Sequence, residues 1–181
     1  MGDDTSNVVR ELIAQQTQIF ELFGDERVPR PRPPVTESVL AGLHELWAGK
    51  GGILPPSYIA FLRVCDGIED FSFSYDLYGA CDLLTDKHAS LSARLFEENV
   101  GLPVGDTERL ILLGSSPETT TRLIADLRHQ PLKPGESVIF DGDPGFLSLH
   151  ASYGDFLRMR VQANRLTIDA AENSSGIGEE E

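Results

Sequence analysis

Four histidines, two cysteines and 29 carboxylates are the side chains of this chain with the chemistry to catalyse a reaction or hold a metal. His44, His88, His129 and His150 lie far apart and form no His-x-x-x-His pair, and Cys65 and Cys81 form no Cys-x-x-Cys motif. Zinc sites draw on such local pairs, so none is expected. Asp141-Gly142-Asp143 has the start of a calcium loop, but the twelfth position, counting Asp141 as the first, is Ser152. A calcium loop needs a bidentate glutamate there, so a strand-to-strand turn is the expected role. Gly114-Ser115-Ser116-Pro117 lacks the glycines of a nucleophile elbow, and no phosphate loop ends in Gly-Lys-Ser/Thr. No catalytic residue, metal or cofactor is therefore expected, and the chain reads as a non-enzyme. A hydrolase with a carboxylate site assembled in space is the weakest alternative.

The carboxylates themselves carry the remaining signal. With 15 basic and 29 acidic residues the net charge is −14. Phosphate neutralisation supplies most non-specific nucleic-acid affinity, so this sign argues against direct DNA or RNA binding and favours a basic protein partner. Residues 65–108 hold ten acids against Lys87 and Arg94, more than half of the net charge in under a quarter of the chain. Phe71, Phe73, Tyr75, Tyr78 and Phe96 are interleaved with them. Two readings are open: solvated turns around ordinary strands, or an acidic, tyrosine-bearing contact surface. On the second reading Asp66, Glu69, Asp70, Tyr75, Asp76, Tyr78 and Asp82 are the partner-binding residues. Cys65 and Cys81 sit in apolar segments and read as buried small hydrophobes.

The elements that must position these residues follow from periodicity. A first helix is expected from the Ser6 cap to about Phe23, with Gly24 ending it. Arg27–Pro34 is basic and proline-rich, hence extended: a strap between helices, or a ligand for an aromatic groove. Thr36 should cap a helix with Leu40, Leu43 and Trp47 on its apolar face. Leu54-Pro55-Pro56 fixes the entry to a third helix, in which Tyr58, Phe61, Leu62 and Cys65 share one face and Gly67 supplies the stop. Phe71–Tyr75 alternates with period two and reads as a strand, and Asp76–Leu84 offers another. Asp86–Glu98 reads as a helix with His88, Leu91 and Leu95 inward. Leu110–Leu113, Thr119–Ala125, Val138–Phe140 and Phe146–Leu149 are further short strands, and Ser152–Asp155 opens a last helix ending near Arg165. The tail from Glu172 should be disordered. Helices first, strands second and a closing helix make an α+β fold, a mainly antiparallel sheet packed against several helices. Residues 1–35 form a helix and strap, 36–165 the α+β domain, and 166–181 an acidic flexible tail. The acidic N-terminus is the opposite of a secretory signal and no apolar run reaches about 20 residues, so a cytoplasmic, non-membrane protein is expected.

Leu54-Pro55-Pro56-Ser57-Tyr58-Ile59-Ala60-Phe61-Leu62, closing at Asp66-Gly67, resembles the opening signature of the SUKH superfamily. Ser152-Tyr153 before Phe156-Leu157 is similar to that family's final helix, and the resemblance spans about residues 36–165. It implies an α+β fold and the role of an immunity protein that binds and neutralises a toxin. The acidity fits a basic toxin, for example a nuclease. The yeast cell-wall-synthesis regulators in the same superfamily imply the alternative of an intracellular scaffold, with the first helix or the strap as its contact. The residues carrying the resemblance are expected in the core.

Overall fold

The first helix begins before its best capping residue. In the computed structural model, which describes residues 2–72, 75–97, 106–116, 120–143 and 146–175, α1 spans Gly2–Leu22 and Ser6 lies inside it. The last helix, α6 (Tyr153–Ser175), runs beside it in the same direction, with Arg158 near Asp4, Arg165 on Glu11 and Gln18 on Glu172. These contacts recur every seven residues along both helices, so α6 supports α1 from its first turn. They also carry α6 well past Arg165: Ile168 is buried, and the helix includes Glu172 to Ser175. Residues 176–181 lie outside the described residues.

Gly24 ends α1 as expected. It has φ 68°, its N–H donates to the Glu21 carbonyl, and the Asp25 N–H donates to that of Phe20. The proline-rich stretch is a strap built into the fold. Arg30–Pro31 forms a short edge strand, β1, antiparallel to β2 (Ile68–Ser72), with Arg30 opposite Glu69 and Pro31 opposite Ile68. Prolines are tolerated there because an edge strand leaves one side of its backbone unpaired.

Helix α2 (Glu37–Gly49) follows the Thr36 cap and buries Leu40, Leu43 and Trp47. Helix α3 (Pro56–Leu62) has proline in its first turn and buries Tyr58, Phe61 and Leu62, with Cys65 buried just beyond. The ring of Tyr58 lies 5.6 Å from Trp47 and 4.8 Å from Tyr153, and Phe61 lies 5.1 Å from Tyr153. One aromatic cluster thus joins α2, α3 and α6. Helix α3 stops at Leu62. Gly67, at φ 90°, does not end it but turns the chain into β2.

The remaining strands are β3 (Tyr75–Leu77), β4 (Leu110–Ser115), β5 (Arg122–Asp126), β6 (Val138–Asp143) and β7 (Phe146–His150). All seven pair antiparallel in sequence order, and the fold is α+β. Phe71–Tyr75 is not one strand: Ser72 pairs with Tyr75, so the chain reverses between them, and residues 73 and 74 lie outside the described residues. The period-two alternation spans two strands whose buried members, Phe71 and Tyr75, face the same core. Asp76–Leu84 likewise divides, into the end of β3 and a short helix, α4 (Ala80–Leu83). α4 buries Ala80 and Leu83 and turns Cys81 outward, so Cys81 is exposed while Cys65 is buried.

Both faces of the sheet are covered. Ile111, Leu113, Leu123 and Ile139 join the core beneath α1, α2, α3 and α6. Leu110, Leu112 and Ile124 on the other face pack with Phe96, Leu91 and Leu95 of α5 (Asp86–Glu97). His88 anchors α5 through a 3.0 Å hydrogen bond from its Nε2 to the Leu112 carbonyl.

Phe61 is fully buried at the meeting point of α3 and α6. Phe61→Ala should lower the unfolding free energy by about 3–5 kcal/mol, read from urea titration. A loss below about 1 kcal/mol would show the cluster to be dispensable.

Burial pushes the His88 ring below its usual range, with Lys50 adding to it and the Leu112 carbonyl and Asp82 opposing. Burial lowers His150 too, against Asp141 and Asp155. Both rings are held neutral in the fold and protonate more readily once unfolded. Their contribution is complete above about pH 6.5 and is lost as pH falls toward the lower folded values. Urea midpoints should therefore drop between about pH 7.5 and about pH 5.5. Replacing both histidines by glutamine should flatten that slope, and an unchanged slope would refute the assignment.

Candidate partner-binding surface

The seven residues selected for charge and aromatic content converge on the β2–β3 end of the sheet, where the structure divides them into two groups. Asp66, Tyr75, Tyr78 and Asp82 hold the fold together. The Asp66 carboxylate accepts hydrogen bonds from the Ala80 and Cys81 N–H groups at 2.5 and 3.1 Å, which fixes the start of α4. Asp82 accepts from the Gly79 N–H at 2.9 Å and from both terminal nitrogens of Arg32. Arg32 also donates from Nε to the Asp66 carbonyl at 2.6 Å. Partial burial pulls the Arg32 pKa down, but the Asp82 carboxylate outweighs it and the net shift is upward. The strap, the β2 entry and α4 are thus tied by one guanidinium.

This knot explains two glycines. A Cβ on Gly67 would strike Arg32, and a Cβ on Gly79 would strike the carboxylate and backbone of Asp66. Neither position has room for a side chain.

Tyr75 is 5% exposed, and its hydroxyl finds no hydrogen-bond partner among the described residues. Asp66 is 9% exposed. Both were expected at a contact surface, and both are too buried to reach one. Phe71 and Phe96 are also buried, one in each core, while Phe73 lies outside the described residues. Tyr78 is half-buried: its hydroxyl shares a 2.7 Å hydrogen bond with Ser115, and its carbonyl accepts from Tyr58 at 2.8 Å.

Glu69, Asp70 and Asp76 form the second group, at the accessible corner. A register shift in β2 puts Asp70 at φ 52°, and Asp76 holds it there by accepting its N–H at 2.8 Å. Burial raises the Asp76 pKa, and the Asp70 and Glu69 charges raise it further, against the Asp70 N–H. Arg30 spans the corner, 2.6 Å from Asp70 and 3.6 Å from Glu69. Arg30 and Arg32 were missed as part of this surface. Their signal was their place in a basic strap, but nothing local shows that the strap crosses residues some 40 positions away.

Elsewhere, a groove of about 970 Å³ lies between α1, α3 and the start of α6. Arg10, Arg63, Lys133 and Arg158 line it. Asp155 already pairs with Lys133 and Arg158, and Glu37 with Arg63, so the cations are largely matched. Among the described residues no three His, Cys, Asp or Glu side chains group closely enough to hold a metal ion, and no helix is long and apolar enough to cross a membrane.

No family model matches the chain. A search of the curated proteins finds no match either.

Asp66→Ala leaves two N–H groups of α4 without their acceptor. It should lower stability by about 1–2 kcal/mol, the range for a lost helix cap. Urea unfolding of this variant beside Asp66→Asn, which keeps one carbonyl oxygen, checks the role. Equal stability of Asp66→Ala and wild type would exclude it.

Proposed function

We propose that this chain is a non-catalytic protein-binding module that neutralises a basic partner protein, in the manner of the immunity proteins its sequence resembles. The observation that supports this most is the corner formed by Glu69, Asp70 and Asp76. Burial raises the pKa of Asp76, the neighbouring Asp70 and Glu69 charges add to it, and an arginine already sits across those two. Arg30 is 66% exposed on its side chain, so it marks the position and geometry at which a partner's arginine would bind. Carboxylate–guanidinium pairing of this kind steers association, and close charge pairs between proteins couple by roughly 1.5–7 kcal/mol. The mechanism is stoichiometric occlusion of the partner by the β2–β3 corner. Tyr78 and Asp82 stand behind the contact, while Asp66 and Tyr75 shape it from below.

The scaffold alternative placed the contact on the first helix or the strap. That segment is not free: α1 packs along α6, and the strap pairs with β2. Deleting residues 1–34 would remove part of the core, so such a deletion does not separate the two readings.

The test uses the full chain as bait at low ionic strength and again in about 0.5 M salt, where charge pairs at the surface are screened. A basic partner of 1:1 stoichiometry, released by salt, is expected. Glu69 is half-exposed and pairs with the exposed Arg30, so Glu69→Lys is the variant of choice. It should weaken the same partner at least tenfold, chiefly through slower association. Binding that is indifferent to both salt and Glu69→Lys would sink this reading.

A further inference from the structure

We infer that two copies of this chain associate edge to edge through β7, each presenting the same strand to the other about a two-fold axis. This goes beyond the proposed function and does not rest on it.

The two edges of the sheet are not alike. At one edge, β1 is two residues long and Pro31 supplies no N–H. Short length and proline are the devices by which edge strands avoid pairing with other chains. At the other edge, β7 runs for five residues, Phe-Leu-Ser-Leu-His, without proline, lysine or glycine. Its register with β6 is unbroken from Asp143 opposite Phe146 to Ile139 opposite His150, so no bulge twists the edge away. Among the described residues β7 pairs on one side only, with β6. Its other side presents a row of backbone donors and acceptors.

An exposed leucine lies beside this edge. Leu149 is 54% exposed and lies opposite the half-buried Phe140, and Ser148 is exposed. The charge distribution selects the occupant. Copies carrying −14 each repel one another, yet β7, residues 146–150, contains no acidic residue and no lysine or arginine. This is an uncharged stretch where two such copies can meet without that repulsion. Antiparallel pairing of a strand with itself is also self-complementary, and it closes as a two-fold dimer rather than growing into a fibre. Full overlap of the five residues sets the register: Ser148 faces Ser148 of the second copy, and Leu149 faces Leu147. The result is one continuous antiparallel sheet. The β2–β3 corner lies four strands from β7 in each copy, roughly 19 Å at the usual strand spacing, and stays open.

Sedimentation equilibrium on the full chain over a dilution series should give twice the 19.8 kDa chain mass at the higher concentrations. Leu149→Lys places a charge on the edge at an exposed position and should return the mass to that of one chain, with the same circular dichroism and thermal midpoint. A second variant reports the register without breaking the contact. Ser148→Cys, made with Cys81→Ser to remove the exposed native thiol, should form an intermolecular disulfide on mild oxidation. Facing residues of an antiparallel pair have Cα atoms about 4.5–5.5 Å apart, within disulfide reach. A monomer at every concentration overturns the inference. So does a dimer that survives Leu149→Lys and yields no Ser148→Cys crosslink.

Discussion

The hydroxyl of Tyr58 is the point at which the helices and the sheet are fixed to each other. Its ring is fully buried against Trp47, Phe61 and Tyr153, so its O–H must find an acceptor inside the protein. It finds the Tyr78 carbonyl, at the end of β3. Burial has no direction and ring pairs impose only loose angular preferences, whereas a hydrogen bond fixes both distance and direction. The bond sets the height of α3 over the sheet, and with it the place where β3 ends and α4 starts. Burial drives the Tyr58 pKa well up, with Asp66 and Asp82 adding to it, so this donor stays protonated through the physiological range.

The acidity of the chain acquires a different meaning in three dimensions. Ten carboxylates in 44 residues suggest a uniformly negative face, but the strap brings two arginines across that face. Arg32 is enclosed by Asp82 and the Asp66 carbonyl and acts as an internal fastener. Arg30 remains in solvent, where exposed pairs contribute little to stability. A partner cation can therefore replace Arg30 at small energetic loss, whereas displacing Arg32 would unfasten the strap and α4 together. This difference separates the carboxylates proposed to bind a partner from those that fasten the strap.

The ends of the sheet divide the labour in a similar way. The β1 edge is closed by proline and carries the charged corner beside it. The β7 edge is regular in register, and its strand contains no acidic residue, lysine or arginine. The two proposed contacts, with a basic partner and with a second copy, therefore lie at opposite edges of one sheet.

Much of this architecture was legible in the residues. The proline entry and the one-sided spacing of Tyr58, Phe61, Leu62 and Cys65 specify α3, Gly24 specifies the end of α1, and the apolar runs at 110–113 and 138–140 specify central strands. Each depends on neighbours within a few positions, where backbone sterics and side-chain periodicity act directly. Apart from the reversal between Ser72 and Tyr75 and the role of Gly67, the errors involve distant partners. The α6 helix continues past Arg165 because α1 lies along it, and Cys81 is exposed because Asp66 caps α4 and orients it. Tyr75 is core because β2 folds back on β3. A carboxylate looks the same in sequence whether it meets solvent, a backbone N–H or a guanidinium. Local sequence determined which elements form and which of their faces are apolar. Only the tertiary structure decided which charges remain free to meet a partner, because that depends on long-range pairings such as Arg32 with Asp82 that no local pattern encodes.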